Sequence, residues 1–156
     1  YEISCSLVGS EMCIRDSSQA MRSREIHRTY QAFALGETAA SGTIDAPIAR
    51  LNGSLIQRTV DFASGERSVT HYRTLAHCSV FSHLELNLET GRTHQIRVHM
   101  AYIGHPLLGD TLYNKTPGTF PRQALHSASL SFVHPITGEP LNFHAPLPED
   151  MQNLLT

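Results

Sequence analysis

Tryptophan is absent from this 156-residue chain, and lysine nearly so. Lys115 stands alone among twelve basic residues; the rest are arginines. Cysteine occurs three times, at Cys5, Cys13 and Cys78, never as C-x-x-C. That pattern excludes a disulfide framework and a cysteine-held zinc. No apolar run approaches the roughly 18 residues that would cross a membrane. Internal repeats and low-complexity tracts are also missing. Fourteen acidic residues stand against the twelve basic ones, a net charge of −2. The strongly basic composition that marks many nucleic-acid binders is therefore lacking.

Ten histidines invite a metal reading. A helical zinc pair needs histidines four apart, as in H-E-x-x-H, with a third ligand elsewhere. His94 and His99 are five apart and no H-E-x-x-H occurs. No G-x-S-x-G elbow points to a serine hydrolase. No metal and no cofactor is expected, and His94 and His99 read as hydrogen-bonded structural groups.

What remains is ordinary material for one domain. The apolar fraction, 40%, is enough for one modest core. Arginine presents a planar fork suited to carboxylates and phosphates, although a GC-rich coding sequence yields the same arginine excess. Residues 1–17 differ from the rest. They hold two of the three cysteines and show neither strand alternation nor a helical stripe. They lack the basic start and apolar centre of a signal peptide. They read as foreign to the fold or disordered, with residues 18–156 as the domain. Setting aside Glu2, Glu11, Asp16 and Arg15 leaves eleven charges of each sign. A single cysteine, Cys78, then fits a reducing cytoplasm, and nothing suggests more than a monomer.

Hydrophobic periodicity outlines the elements. Residues 18–24 look like a helix end. Residues 25–36 alternate as a strand, with Ile26, Arg28, Tyr30, Ala32 and Ala34 on one face. Short strands are expected over 42–44 and 48–50. Residues 68–77 and 80–88 should pair as a hairpin through His77-Cys78-Ser79, with Leu84, Leu86 and Leu88 sharing a face. Residues 92–103 form the one convincing complete helix. Ile96, Met100 and Ile103 make its apolar stripe, and Gly104 with Pro106 ends it. Strands follow over 124–133 and 141–144. The expected fold class is α+β: a mixed, mostly antiparallel sheet with one or two packed helices.

The stretch Leu88-Glu89-Thr90-Gly91-Arg92-Thr93-His94-Gln95-Ile96-Arg97-Val98-His99-Met100 is the most informative. It crowds arginines, histidines, threonines and a glutamine beside an apolar face. By periodicity alone Arg97 reads as a solvent-facing helical arginine, and Tyr30 as a sheet-packing tyrosine. The stretch, however, strongly resembles the G-R-x-H-Q-I-R motif of the RluA-type RNA pseudouridine synthases. Arg28-Thr29-Tyr30-Gln31-Ala32 resembles that family's K-x-Y-x-A strand, with Arg28 for the usual lysine. Gly42-Thr43-Ile44-Asp45-Ala46-Pro47-Ile48-Ala49-Arg50 resembles G-x-I-x-x-P-I-x-R, and Thr70-His71-Tyr72-Arg73 resembles T-x-Y-R. Gly104-His105-Pro106-Leu107-Leu108-Gly109-Asp110-Thr111-Leu112-Tyr113 resembles G-H-P-I-x-G-D-x-x-Y. Leu125-His126-Ser127 and Phe132-Val133-His134-Pro135 resemble the late L-H-A and F-x-H-P elements. The order is the family's own.

The resemblance implies a pseudouridine synthase catalytic domain that isomerises uridine in rRNA or tRNA with no cofactor. It implies that Arg97 pairs with the catalytic aspartate and that Tyr30 lies against the flipped uracil. Arg92, Thr93, His94, Gln95, Ile96 and Arg28 would contact substrate. One element is missing: the H-R-L-D-x-x-T-S-G motif that carries the aspartate does not occur. Asp16, the superficial substitute, stands too close to Tyr30. The expectation is therefore an N-terminally truncated domain, inactive alone, with Arg97 deprived of its partner and with a sheet edge laid bare. A non-catalytic RNA-binding module and a protein-interaction fragment are the alternatives; an in-frame H-R-L-D upstream in the gene would decide.

Overall fold

The computed structural model describes residues 26–156. The expectations for residues 1–17, for a helix end over 18–24 and for Asp16 lie outside these described residues. A six-stranded sheet, entirely antiparallel, forms the frame. Its strands are β1 (Ile26–Leu35), β2 (Ser41–Asp45), β5 (Val69–His77), β6 (Phe81–Leu88), β7 (Leu125–Val133) and β8 (Pro140–His144). They run in the order β2-β5-β6-β1-β7-β8. A second, two-stranded sheet pairs β3 (Ile48–Arg50) with β4 (Arg58–Val60). Among the described residues there are two helices, α1 (Gln95–Tyr102) and the single-turn α2 (Glu149–Gln152), which makes the fold α+β. Among the described residues no helix is long and apolar enough to cross a membrane.

The expected strands and hairpin form where alternation placed them. The core divides across the sheet. One cluster gathers Tyr30, Ala32 and Ala34 of β1, Leu84 and Leu86 of β6, and Ile96 and Met100 of α1. Leu88 and Ile103 pack at its margin, so the helical stripe and the leucine face meet as their spacing requires. Phe33, pointing the other way, anchors a smaller cluster with Leu108, Ala124 and Met151 of α2. β1 thus contributes to both clusters, with Ala32, Phe33 and Ala34 all buried near its end.

Sequence reading missed β4 and α2, three and four residues long, too short for periodicity to register. The helix also starts later than expected, at Gln95 rather than Arg92. The Gln95 side-chain oxygen takes the Arg92 N–H at 3.0 Å, and His94 adopts left-handed geometry, φ 57°. The preceding residues are held in a turn.

The segment after α1 is tied back to β1. Leu35 N–H donates to the Pro106 carbonyl and Leu108 N–H to the Phe33 carbonyl, both at 2.9 Å. His105 Nδ1 bonds the Leu35 carbonyl at 2.8 Å. Gly109 turns the chain at φ +69°, and a Cβ there would lie 1.8 Å from the Arg122 carbonyl oxygen. Gly109→Ala should therefore destabilise the protein. The backbone conformation alone accounts for about 1–3 kcal/mol, with the clash added. A lowered urea midpoint at unchanged slope is the expected result.

Candidate active site

Arg97 does not lack a partner. Its Nε and Nη2 donate to Asp110 Oδ2 and Oδ1, each at 2.8 Å. The two side chains are 14% and 0% exposed. This corrects the expectation of an orphaned guanidinium. Nothing in the sequence spacing signalled it, because Asp110 reads as one more turn residue after Gly109. The signal was the motif Gly-Asp-x-x-Tyr itself, which places the carboxylate and Tyr113 on one turn.

Asp110 is held from behind as well. Its Oδ1 accepts the backbone N–H groups of Leu112 and Tyr113 at 3.0 and 3.2 Å. Burial pushes this carboxyl upward, but the Arg97 bonds and charge and the two N–H donors outweigh it and hold it below the usual range. The Asp110 hydrogen bonds in turn raise Arg97. The ring of Tyr113 lies under the Arg97 guanidinium at 5.1 Å, a cation–π contact.

His94 closes the cluster. Its Nδ1 is 2.8 Å from the Tyr113 hydroxyl, and the two rings meet edge-on. Burial, then the charges of Arg97 and Arg58, hold His94 below the ordinary imidazole value. The His94 tautomer sets the direction of this bond, and the Tyr113 oxygen also accepts the Arg58 backbone N–H at 2.9 Å. Burial also raises the Tyr113 phenol, so it stays protonated.

Beneath this cluster runs a buried polar chain. Gln95, 2% exposed, uses its full capacity. Its amide donates to Val69 O and Thr70 Oγ1, both at 3.0 Å. Its oxygen accepts Thr90 Oγ1 at 2.8 Å and the Arg92 N–H. His99, fully buried, donates from Nε2 to the Ala46 carbonyl at 2.8 Å, because a carbonyl can only accept. Burial keeps His99 neutral. Nδ1 therefore accepts the Thr70 hydroxyl at 2.8 Å. His99 is thereby a structural hydrogen-bonding group, as is His94 toward Tyr113.

The other residues singled out in the sequence fall in three places. Arg92 and Thr93 are exposed and line an open groove of about 540 Å³ with Arg50, Arg58 and Glu66. Arg92 forms an ion pair with Glu66, and its Nε donates to the Arg67 carbonyl at 3.3 Å. Arg28 lines a separate, smaller groove of about 130 Å³ with Glu89 and Thr90. Tyr30, Gln95 and Ile96 lie in the interior, at 5%, 2% and 4% exposure. Tyr30 shares its core cluster with Ile96 and Met100, which flank Arg97 on α1. It also sits at a register shift, since Thr29 opposes Ser129 whereas Tyr30 opposes Ser127. Among the described residues no group of three or more His, Cys, Asp or Glu side chains is arranged to hold a metal.

Comparison with known proteins identifies the family. The sequence profile described as RNA pseudouridylate synthase matches residues 9–102. The chain belongs to that family, in its RluA-type branch. It is 50% identical over 139 residues to a Bacillus subtilis protein named uncharacterized RNA pseudouridine synthase YjbO, covering 88% of this chain and 49% of that one. Identity to the ribosomal large subunit pseudouridine synthase D of Vibrio cholerae is 47% over 149 residues, covering 85% of this chain and 45% of that one. The Escherichia coli K12 protein of the same name is 44% identical over 151 residues, covering 88% and 46%. The chain thus spans about half the length of these curated relatives. Among solved structures, human RNA pseudouridylate synthase domain containing 1 superposes with TM-score 0.74 at 25% identity, covering 87% of this chain and 60% of that one. Human RNA pseudouridylate synthase domain containing 4 gives 0.75 at 21% identity, covering 94% and 67%, and so speaks for the fold alone.

Two outcomes follow from the buried groups. Asp110→Ala leaves Arg97 with an uncompensated, largely buried charge, a change worth about 3–5 kcal/mol in comparable pairs; urea unfolding should register a loss of that order. Separately, burial holds His83, His94 and His99 below the ordinary value. The folded state then binds fewer protons than the unfolded one. Stability present above about pH 6.5 is lost as pH falls below it. Tm should decline between about pH 7 and pH 5, and a flat profile would contradict the assignment of neutral, buried imidazoles.

Proposed function

We propose that this chain is the C-terminal part of an RluA-type pseudouridine synthase catalytic domain, acting in the cytoplasm as a monomer on uridine in ribosomal or transfer RNA. The reaction breaks the bond between uracil N1 and ribose C1′, turns the base and rejoins it through C5. Arg97 is its orienting cation. The observation that carries the reading is the fixed guanidinium. Asp110 occupies the Nε–Nη2 edge of Arg97, which leaves Nη1 to orient a second carboxylate by a charge-assisted hydrogen bond. Tyr30 is the ring that meets the target base. Arg92, Thr93 and Arg28 reach the RNA, while Gln95 and Ile96 act by holding the loop and helix that present them. His94 reaches substrate only through Tyr113.

The second carboxylate is the aspartate of H-R-L-D, a motif the 156 residues do not contain. Among the described residues no other group is placed to attack or polarise the anomeric carbon. The purified chain should accordingly form no pseudouridine when incubated with ribosomal or transfer RNA and analysed by mass spectrometry. Adding the H-R-L-D-bearing segment of a close relative should restore the reaction, and Arg97→Ala in that rebuilt enzyme should abolish it. Product from the chain alone would overturn the assignment. The missing motif also favours a second reading, a non-catalytic RNA-binding module; failure of the rebuilt enzyme to react, with RNA binding intact, would select it.

A further inference from the structure

Outside the Arg97 cluster the small sheet carries charge that its own surroundings do not explain. Arg50 and Arg58 stand directly opposite each other across the β3–β4 ladder. Like charges in that position repel. Among the described residues neither has a carboxylate in ion-pair range. The Arg58 Nη1 is buried with no hydrogen-bond partner, a state that costs stability. Both arginines line the 540 Å³ groove, whose one carboxylate, Glu66, is taken by Arg92.

The groove adjoins the Arg97 cluster. Arg58 supplies both its side chain to the groove and its backbone N–H to Tyr113, the ring beneath Arg97. The chain as a whole carries −2, so this local positive excess does not follow from general basicity.

We infer that Arg50 and Arg58 form a phosphate-binding subsite that grips an RNA backbone phosphodiester adjoining the uridine at Arg97. The inference rests on the RNA reading above and adds to it a place and a ligand group. A phosphate between the two guanidinium forks turns repulsion into two charge-assisted, bidentate contacts. The unliganded protein bears the unfavourable pair, and the RNA relieves it.

The test uses the full 156-residue chain and a labelled, uridine-bearing stem-loop, with anisotropy read across a salt series. The wild type should bind with a log–log salt slope of about −1 to −3. Arg58→Gln should weaken binding and flatten the slope by roughly one unit, and Arg50→Gln/Arg58→Gln by up to about two. Arg73→Gln, which removes equal charge from an arginine paired to Glu85, should leave the slope unchanged. Thermal melting without RNA should show Arg58→Gln at least as stable as wild type, since it removes the like-charge pair with Arg50 and the buried, unpartnered Nη1. A slope unaltered in the groove variants, or lowered equally by Arg73→Gln, overturns the subsite while leaving RNA binding in place. A marked loss of Tm in Arg58→Gln also overturns it, because Arg58 would then be a structural residue. Absence of RNA binding by the wild type overturns the broader reading, and the subsite with it.

Discussion

The buried amide of Gln95 is the joint on which this structure turns. A buried amide is tolerable only when both donors and its acceptor oxygen are satisfied, and here they are, by partners from the start of β5 and from the loop before α1. The same side chain closes the turn before the helix by taking the Arg92 N–H. The helix begins only after His94, whose left-handed geometry is uncommon for a residue with a Cβ. That turn aims His94 at Tyr113 and sets Arg97 on the first turn of α1. Through Thr70 the same chain of bonds reaches His99 and the Ala46 carbonyl, at the corner where β2 leads into β3. One polar thread therefore fixes the helix against the main sheet and sets the approach to the small sheet. The apolar stripe of α1 supplies burial; the thread supplies register.

Periodicity is a report on faces, and wherever a face decided the structure the sequence was readable. Alternation in β1, β5 and β6, and the spacing of Ile96, Met100 and Ile103, led directly to the core. The motif resemblance singled out Arg97, and with it the loop and helix that carry it. What escaped was decided otherwise. β4 exists because Arg58, Thr59 and Val60 find a partner strand, not because of any pattern of their own. The start of α1 was set by the left-handed turn at His94. Asp110 drew no attention because its partner lies 13 residues upstream, across a helix end and a turn that only the folded chain closes. The same applies to the opposition of Arg50 and Arg58, which is a fact of ladder register.

Arginine geometry links the two charged regions. At Arg97 the guanidinium has one edge spent on a carboxylate and a face covered by an aromatic ring, so its remaining direction is defined. At Arg50 and Arg58 the groups are close but uncommitted. Lysine could reproduce neither arrangement, since an ammonium has no edges to apportion. The arginine-for-lysine bias of the chain thus has a structural use at these positions, whatever its origin elsewhere.

The register shift beside Tyr30 carries a further consequence. Opposed residues of an antiparallel pair share a face. Before the shift, Leu125 and Ser127 stand on the face of Ala32 and Tyr30; beyond it, Leu130 and Phe132 stand on the face of Arg28 and Ile26, which is the same one. Odd-numbered positions of β7 give way to even-numbered ones, and Ala128 is the residue that absorbs the change. The strand is two half-strands of opposite phase spliced by one alanine. Without Ala128 the strand would alternate plainly from end to end, so removing that single residue would leave Leu130 and Phe132 on the face they occupy and take away only the local irregularity beside Tyr30.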